Sequence, residues 1–214
     1  MAGADYINVG VEIVDEIEVG VSVNTLVGAE PLKTGQTTSY ADNDDGDLEK
    51  GQERSYSVLS TGQYAGTTDI TVNGKTVSLS NNCVRDNKTR LMWARYVPQS
   101  DIGPDANGKL YWYDAVNSED AFEFAAAANT AELGGHSDWH VPNRIQINTI
   151  FDAGEYNPCI DTTTFPSTPA AYTWTSTTMP GNANVGYNIS FVDGVVSYAN
   201  KSGGKCYVRL VRDV

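Results

Sequence analysis

The sequence predicts an α+β fold, in which two helices lie among antiparallel strands and a short β-rich arm precedes the domain. Three observations lead to this prediction. The hairpin-forming dipeptides Asn73-Gly74 and Asp193-Gly194 each lie within strand-like runs. Residues 111–133 and the segment that begins at Asn143 have helical patterns. Strands followed by two helices and then by more strands are typical of an α+β domain.

The first 30 residues contain a short repeat. INVGVEIV (7–14) and IEVGVSVN (17–24) share the pattern I-x-V-G-V-x-[IV]-x, and their valines and isoleucines alternate as strands require. Two copies are too few to bury their own apolar faces. We therefore expect residues 1–30 to form an arm for attachment or oligomerisation, with an ordinary first hairpin as the alternative. The residues assigned to assembly are Val9, Val11, Ile13, Val19, Val21 and Val23.

Residues 31–80 form a region rich in predicted hairpins. Asn73-Gly74 between β-branched runs predicts a type I′ turn. The polar stretch DNKTR (86–90) then predicts a turn that leads into a strand through Met92 and Trp93.

The first predicted helix covers residues 111–133, which are rich in alanine and glutamate, and Gly134-Gly135 is expected to end it. The second begins after Asn143, whose side chain can accept a hydrogen bond from the first turn, and ends at Gly154. The residues predicted to share one face of a helix are Ala115, Phe122, Ala125 and Ala126 in the first helix and Ile147, Ile150 and Phe151 in the second.

Strands return after residue 160. YTWTSTT (172–178) predicts one strand, and YNISFVDGVVSYA (187–199) predicts a hairpin with Asp193-Gly194 at its turn. KCYVRLVRDV (205–214) predicts a final strand with Tyr207, Arg209 and Val211 on one face.

The charge, the apolar content and the cysteine count of the chain limit its expected partners and surroundings. The chain has 214 residues and a formal net charge of −13, so it repels phosphate backbones and we expect no nucleic-acid partner. It contains no apolar run long enough to span a membrane and no visible secretory signal, so we expect no membrane insertion. Three cysteines allow one bridge, Cys159–Cys206, or three free buried thiols, and the sequence leaves both open.

Five motifs in order resemble the Lcl-type C-terminal domain family, which occurs in bacterial surface proteins and phage virion proteins. They are PLKTGQTTSYADNDDGDLEKG (31–51), CVRDNKTRLMW (83–93), GGHSDWHVPNR (134–144), YTWTST (172–177) and YVRLVR (207–212). The resemblance covers residues 31–214. It implies a C-type-lectin-like fold there and a binding or structural role, with no established enzymatic activity.

The resemblance also implies structural roles. Trp139 and Pro142 would fix the loop before the second helix, and Asn143 would cap that helix. Trp93 and Trp174 are likewise expected to be structural. The chain departs from the family at His140, where a basic residue is usual, and near Ala125, where a cysteine that could pair with Cys83 is common.

Two groups of residues suggest metal sites. His136, Asp138 and His140 precede a helix and lack an obvious further ligand, so we expect them to form hydrogen bonds in a turn. The acidic loop is the stronger candidate, and calcium is the ion it suits, although the spacing is not that of an EF-hand. An acidic, solvated turn is the alternative. The candidate ligands are Asp42, Asp44, Asp45 and Asp47.

The sequence offers no catalytic motif. It lacks a glycine-rich phosphate loop, H-E-x-x-H and C-x-x-C, and the stretch GHSDW has Trp139 where G-x-S-x-G requires glycine. Val141-Pro142-Asn143 lacks the first carboxylate or amide of the calcium-dependent sugar-binding triplet. We therefore expect neither enzymatic activity nor a cofactor, apart from the candidate calcium.

Residues 180–207 are dense in Asn, Tyr, Ser and Asp, the residues of adaptable recognition surfaces. Polar loops and the outer face of a hairpin are the alternative interpretation. Trp112, Tyr113 and Trp174 are expected in the core rather than at a binding surface. The predicted ligand-binding residues are Asn182, Asn184, Tyr187, Asn188, Ser190, Asp193, Ser197, Tyr198, Asn200 and Lys201.

Together these features predict a non-enzymatic binding module on a virion or extracellular surface. It would join other virion or surface subunits through its arm, form a homo-oligomer and contact a host-surface protein or glycan. The alternative is a purely structural decoration or assembly subunit that self-associates.

Overall fold

The computed structural model describes residues 30–214. The chain divides at residue 30 into two units, and all of the structure given below belongs to the second, residues 31–214. The predicted arm and its assembly residues, Val9 to Val23, lie outside the described residues.

The domain is built from short strands and three helices. The strands are Tyr56–Leu59 (β1), Thr67–Val72 (β2), Lys75–Ser80 (β3), Cys83–Asp86 (β4), Leu91–Ala94 (β5), Leu110–Tyr111 (β6), Tyr172–Thr178 (β7), Val185–Ser190 (β8), Val196–Asn200 (β9), Lys205–Cys206 (β10) and Val211–Asp213 (β11). The helices are Asp45–Leu48 (α1), Ala121–Thr130 (α2) and Arg144–Asn148 (α3). Short 3₁₀ turns cover Gly62–Tyr64 and Leu133–Gly135.

The strands pair in four antiparallel sheets. One has the order β1-β4-β5-β11, so the last strand of the chain lies beside β5. A second has the order β7-β8-β9, and β2-β3 and β6-β10 form two-stranded pairs. Few helices among several antiparallel sheets confirm the predicted α+β class.

Both predicted hairpins are present. Asn73 and Gly74 have φ values of 48° and 73°, and Val72 pairs with Lys75 across them, as a two-residue primed turn requires. Asp193 and Gly194 lie in the wider turn that joins β8 to β9, where the last pair is Ile189 with Val196.

The first predicted helix is shorter than expected, because two aspartates bind backbone N–H groups ahead of it. Asp114 accepts hydrogen bonds from the N–H groups of Val116 and Asn117 and so forms a turn. Asp120 then caps α2 by accepting from the N–H groups of Phe122 and Glu123. Helix α2 therefore begins at Ala121, and the segment before it is strand and turn.

The predicted face and end of this helix were also wrong. Ala125 is buried, but Ala115 and Ala126 are exposed and Phe122 is 37% exposed. The face that packs against β2 and the core contains Ala121, Phe124, Ala125 and Ala128. The helix ends with Ala131 as its C-cap, ahead of Gly134-Gly135.

Asn143 caps α3, as predicted. Its side chain accepts from the N–H groups of Ile145 and Gln146, and the Gln146 side chain accepts from the Asn143 N–H, which completes a capping box. Helix α3 ends at Asn148 instead of Gly154. Its apolar positions still face the core: Ile147 and Ile150 are buried, and Phe151 is half-buried.

The predicted final strand is two strands, because the chain leaves the sheet at residues 207–210. Tyr207 exchanges backbone hydrogen bonds with Tyr172 and Trp174 at β7. Arg209 is buried, and Val211 begins β11 beside β5. A strand that changes partners cannot keep one continuous face.

The tryptophans expected to be structural are buried in two apolar clusters. Trp139 and Trp174 lie in the first, where their indole N–H groups donate to the carbonyls of Leu133 (2.9 Å) and Leu110 (2.8 Å). Trp93 lies in the second. Pro142 is buried as well.

Cys83, Cys159 and Cys206 are buried free thiols. Burial raises the pKa of Cys83 and of Cys206 to about 12 and also raises that of Cys159. Because the thiolate is the reactive form, these side chains are poor nucleophiles at neutral pH.

Alkylation tests this arrangement. We expect the three thiols of the folded chain at pH 8 to react with iodoacetamide at least about a hundredfold more slowly than those of the unfolded chain. In denaturant without a reductant, mass spectrometry should find all three labelled. A single labelled thiol there would contradict the structure, since it would reveal a Cys–Cys bridge.

Within residues 30–214, no helix combines the length and the apolarity that crossing a bilayer requires.

Candidate functional site

An open groove of about 580 Å³ lies where the segment after β6 meets the ends of β8 and β9. Its walls combine aromatic rings with small polar side chains. The lining residues are Trp112, Tyr113, Ala183, Asn184, Asn200, Lys201 and Ser202.

Backbone hydrogen bonds hold the three segments of the groove together. The N–H groups of Trp112 and Tyr113 both donate to the Lys201 carbonyl, at 3.0 and 3.2 Å. The Lys201 N–H donates in turn to the Asn184 carbonyl at 2.9 Å. Main-chain contacts therefore join the three segments that form the groove.

Trp112 forms the inner wall. Its indole N–H donates to the Thr175 carbonyl at 2.7 Å, and its ring meets the edge of Phe122 at a centroid distance of 4.6 Å. It also lies against Gly186, where a Cβ atom would come within 2.7 Å of the indole. Only glycine at position 186 leaves room for the ring.

Lys201 closes one end of the groove. Its ammonium lies 3.7 Å from the centroid of the Trp112 ring and donates to Thr178 Oγ1 at 2.7 Å. Burial lowers the pKa of this lysine. The cation is held by a ring and a hydroxyl, so it stiffens the wall of the groove.

The outer part of the groove presents groups that can bind a ligand. Tyr113 is 54% exposed. The Asn184 carboxamide has no hydrogen-bond partner within residues 30–214, and Asn200 uses its oxygen to accept from Ser202 while its amide nitrogen makes no bond there. A ring with unpaired carboxamides beside it offers both apolar contact and hydrogen bonding.

The sequence did not indicate Tyr113 as part of this surface. Trp112 and Tyr113 were expected in the core, yet only Trp174 of that group is fully buried. Trp112 and Tyr113 follow β6 in an irregular segment, where no strand or helix periodicity indicates which of two neighbouring aromatics is exposed.

Two predicted ligand-binding residues were wrong. Asn188 and Ser190 are each 3% exposed, because both faces of β8 are covered at this end and Ile189 between them is buried as well. The Asn188 amide approaches Cys206 Sγ at 3.7 Å, and Ser190 Oγ accepts from the Val192 N–H. Neither side chain can reach a ligand in solution.

The remaining predicted residues are divided between the groove and the neighbouring sheet. Asn184, Asn200 and Lys201 line the groove, and exposed Asn182 accepts from the Asn184 N–H. Tyr187 is half-buried, with the guanidinium of Arg144 4.9 Å from its ring centroid. Along β9 and its turn lie Asp193 (exposed), Ser197 (half-buried) and Tyr198 (58% exposed).

The two histidines have separate partners. His136 Nε2 lies 3.1 Å from the Tyr64 hydroxyl, and burial is the main cause that lowers its pKa. His140 Nε2 lies 3.2 Å from the Gln146 amide. Between them, Asp138 forms a bidentate ion pair with Arg212, and the hydrogen bonds from Arg212 lower the pKa of this carboxyl. The Asp138–Arg212 ion pair therefore joins the loop before α3 to β11.

The acidic loop uses its carboxylates to bind its own backbone. Asp44 caps α1 and accepts from the N–H groups of Tyr40 and Ala41 as well as Asp47, and these hydrogen bonds lower its pKa. Asp47 accepts from the Asn43 N–H, while Asp42 is exposed. Asp45 accepts from the Thr34 hydroxyl. In the described part of the chain, no three His, Cys, Asp or Glu side chains are grouped as metal ligands.

Comparison with known proteins identifies the family. The model of the Lcl C-terminal domain matches residues 82–212, more than half of the chain. The motif at residues 31–51 lies outside this match. No curated protein and no solved structure matches the chain. Because the match covers more than half of the chain, the chain belongs to the Lcl C-terminal domain family.

Proposed function

We propose that this chain is a non-enzymatic binding module, displayed on a virion or another extracellular surface, that contacts a protein or glycan of a host cell. A phage virion is the setting that we favour. The observation that carries the proposal is the groove beside Tyr113, where an exposed ring adjoins unpaired carboxamides.

The chemistry of the groove suits a ligand with hydroxyl or carbonyl groups. The carboxamides of Asn184 and Asn200 can donate to such groups, and a tyrosine ring can pack against the C–H face of a sugar or a peptide. Tyrosine also loses little conformational entropy when it binds, which is why it is frequent in recognition surfaces.

We further propose that residues 31–214 have a C-type-lectin-like arrangement. The order of elements supports this. Helices α2 and α3 come before the β7-β8-β9 sheet, and β11 at the end of the chain returns to lie beside β5. The polar surface of residues 180–207 then lies on the loops and the β8-β9 hairpin in the second half of the domain.

Display in many copies would strengthen a weak site. We propose that residues 1–30 attach the chain to other virion or surface subunits or oligomerise it. Linked copies bind a surface with greater avidity than a single domain, even though each individual contact is unchanged.

Binding by a multivalent form of the full chain tests the proposal. Beads coated with the chain should bind a subset of glycans on an array, or bacterial cells of the host. We expect Tyr113→Ala and Asn184→Ala each to weaken this binding by about 5- to 30-fold, since each removes contact worth about 1–2 kcal/mol.

Tyr40→Ala is the matched control. Tyr40 is 82% exposed in the acidic loop, so the control removes the same side chain away from the groove and should bind like the parent. Equal binding by the parent and the two groove variants would refute the proposed site. If beads coated with the parent bind no better than uncoated beads, the proposed function is refuted.

A further inference from the structure

Strand β9 forms one edge of the β7-β8-β9 sheet, and within residues 30–214 no strand pairs with its outer side. The register fixes which backbone groups point outward. The Lys201 N–H donates to the Asn184 carbonyl, and the Ser190 N–H donates to the Val195 carbonyl. Hydrogen-bonded and non-hydrogen-bonded pairs alternate between these two positions, so Val196 and Tyr198 belong to non-hydrogen-bonded pairs. The N–H and C=O groups of Val196 and Tyr198 therefore face away from β8.

This edge is apolar and uncharged. Val195, Val196 and Tyr198 are 51%, 40% and 58% exposed, and the strand Val196–Asn200 contains no charged residue. Natural proteins usually protect an open edge with lysine, proline or a bulge, and β9 has none of these. Such an edge is suited to pairing with another strand.

A second copy of β9 fits this edge. In an antiparallel pair with Ser197 on the two-fold axis, Val196 of one copy lies opposite Tyr198 of the other, a β-branched residue against an aromatic. Both residues have the free backbone groups that the pair needs. No like charges come opposite each other along the strand, because Val196–Asn200 contains no charged residue.

We infer that the chain forms a symmetric dimer in which two β9 strands pair antiparallel and join their three-stranded sheets into one. The interface is independent of the groove and of residues 1–30. It also places the two grooves of a dimer at fixed positions, because the Asn200 end of each β9 adjoins one of them.

Cysteine crosslinking of the full chain tests the pair directly. Opposite residues of a non-hydrogen-bonded antiparallel pair have Cα atoms about 4.5 Å apart, within the range of a disulfide. We expect Ser197→Cys to form a covalent dimer under mild oxidation, which doubles the mass of 23.1 kDa on a non-reducing gel. The native thiols are buried and should not crosslink. Ser202→Cys, exposed in the turn after β9, is the control and should remain uncrosslinked.

A charge at the same position gives a second, independent test. Ser197→Asp brings two carboxylates together at the axis, so light scattering should find the β9 association weakened at least tenfold, while Ser202→Asp associates like the parent. Rapid crosslinking of Ser197→Cys with dissociation of Ser197→Asp supports the dimer. If Ser197→Cys crosslinks no faster than the control, or if Ser197→Asp leaves the mass of the parent unchanged, the dimer is excluded and β9 is free for a strand of a different protein.

Discussion

Replacing Arg209 with alanine is expected to lower the free energy of unfolding by about 3–5 kcal/mol, the largest effect of any single substitution considered for this chain. Arg209 is 1% exposed. Its Nη1 donates to the carbonyls of Ala94 (2.8 Å) and Arg95 (2.7 Å), and its Nη2 donates to Thr168 Oγ1 (2.7 Å). It therefore joins the end of β5 to the loop before β7.

The surroundings of this cation explain the size of the effect. In the described structure no carboxylate pairs with Arg209, and its charge is balanced by carbonyl dipoles and by the Phe165 ring, whose centroid is 5.1 Å from Cζ. Complete burial lowers its pKa. Alanine would leave a cavity and three acceptors without donors, and each buried unpaired group costs about 1–3 kcal/mol.

Chemical denaturation measures the loss of unfolding free energy in Arg209→Ala. Two further variants show whether the lost hydrogen bonds or the lost volume causes it. Arg209→Met fills the volume without donors, so it should be less destabilising than alanine. Arg85→Ala removes an exposed arginine of β4 that has no ion pair in the described structure, and it should change stability by less than about 0.5 kcal/mol. An Arg209→Ala variant as stable as Arg85→Ala would show that the buried guanidinium contributes nothing.

Replacing Asp120 with alanine should have the second largest effect, a loss of about 2–4 kcal/mol. Asp120 is 2% exposed and accepts three backbone hydrogen bonds: from Phe122 and Glu123 in the first turn of α2, and from Asp114 at 3.0 Å. Its removal leaves all three donors unpaired and separates the Asp114 turn from the helix.

Asp120→Asn separates these contributions. Asparagine is a good N-cap, but its amide group would meet the Asp114 N–H with a second donor, so an intermediate loss of stability is expected. Asp44→Ala removes the cap of the four-residue surface helix α1 and should have a smaller effect than Asp120→Ala. Hydrogen exchange should show faster opening of the first turn of α2 in Asp120→Ala alone, and equal exchange in the two alanine variants would contradict the role of Asp120.

The features that sequence predicted correctly depend on near neighbours in the chain. The Asn73-Gly74 turn needs only residues that accept positive φ, and the Asn143 cap needs only the N–H groups of the next turn. The helical segment 111–133 is different. Its many alanines carry little information about which side is buried, and the packing of α2 against β2 decides it.

The groove could be predicted only in part. The Asn and Tyr content of residues 180–207 indicated a polar surface, and Asn184 and Asn200 do lie in the groove. The sequence could not indicate that Asn188 faces the core. Tyr187, Ile189 and Phe191 alternate with the polar Asn188 and Ser190, and this pattern predicts that the polar pair faces solvent. Tyr113 joins the groove through the Lys201 carbonyl, a contact between residues that are far apart in the chain.

The most direct test of the proposed binding function is photocrosslinking from position 113. The full chain carrying a benzophenone amino acid in place of Tyr113 would be displayed on beads, mixed with host cells and irradiated, with the same substitution at Tyr40 as the control. Our account predicts covalent capture of a host-surface protein or glycan from position 113 and background capture from position 40. Equal capture from the two positions, or capture from position 40 alone, would contradict a binding site in the groove.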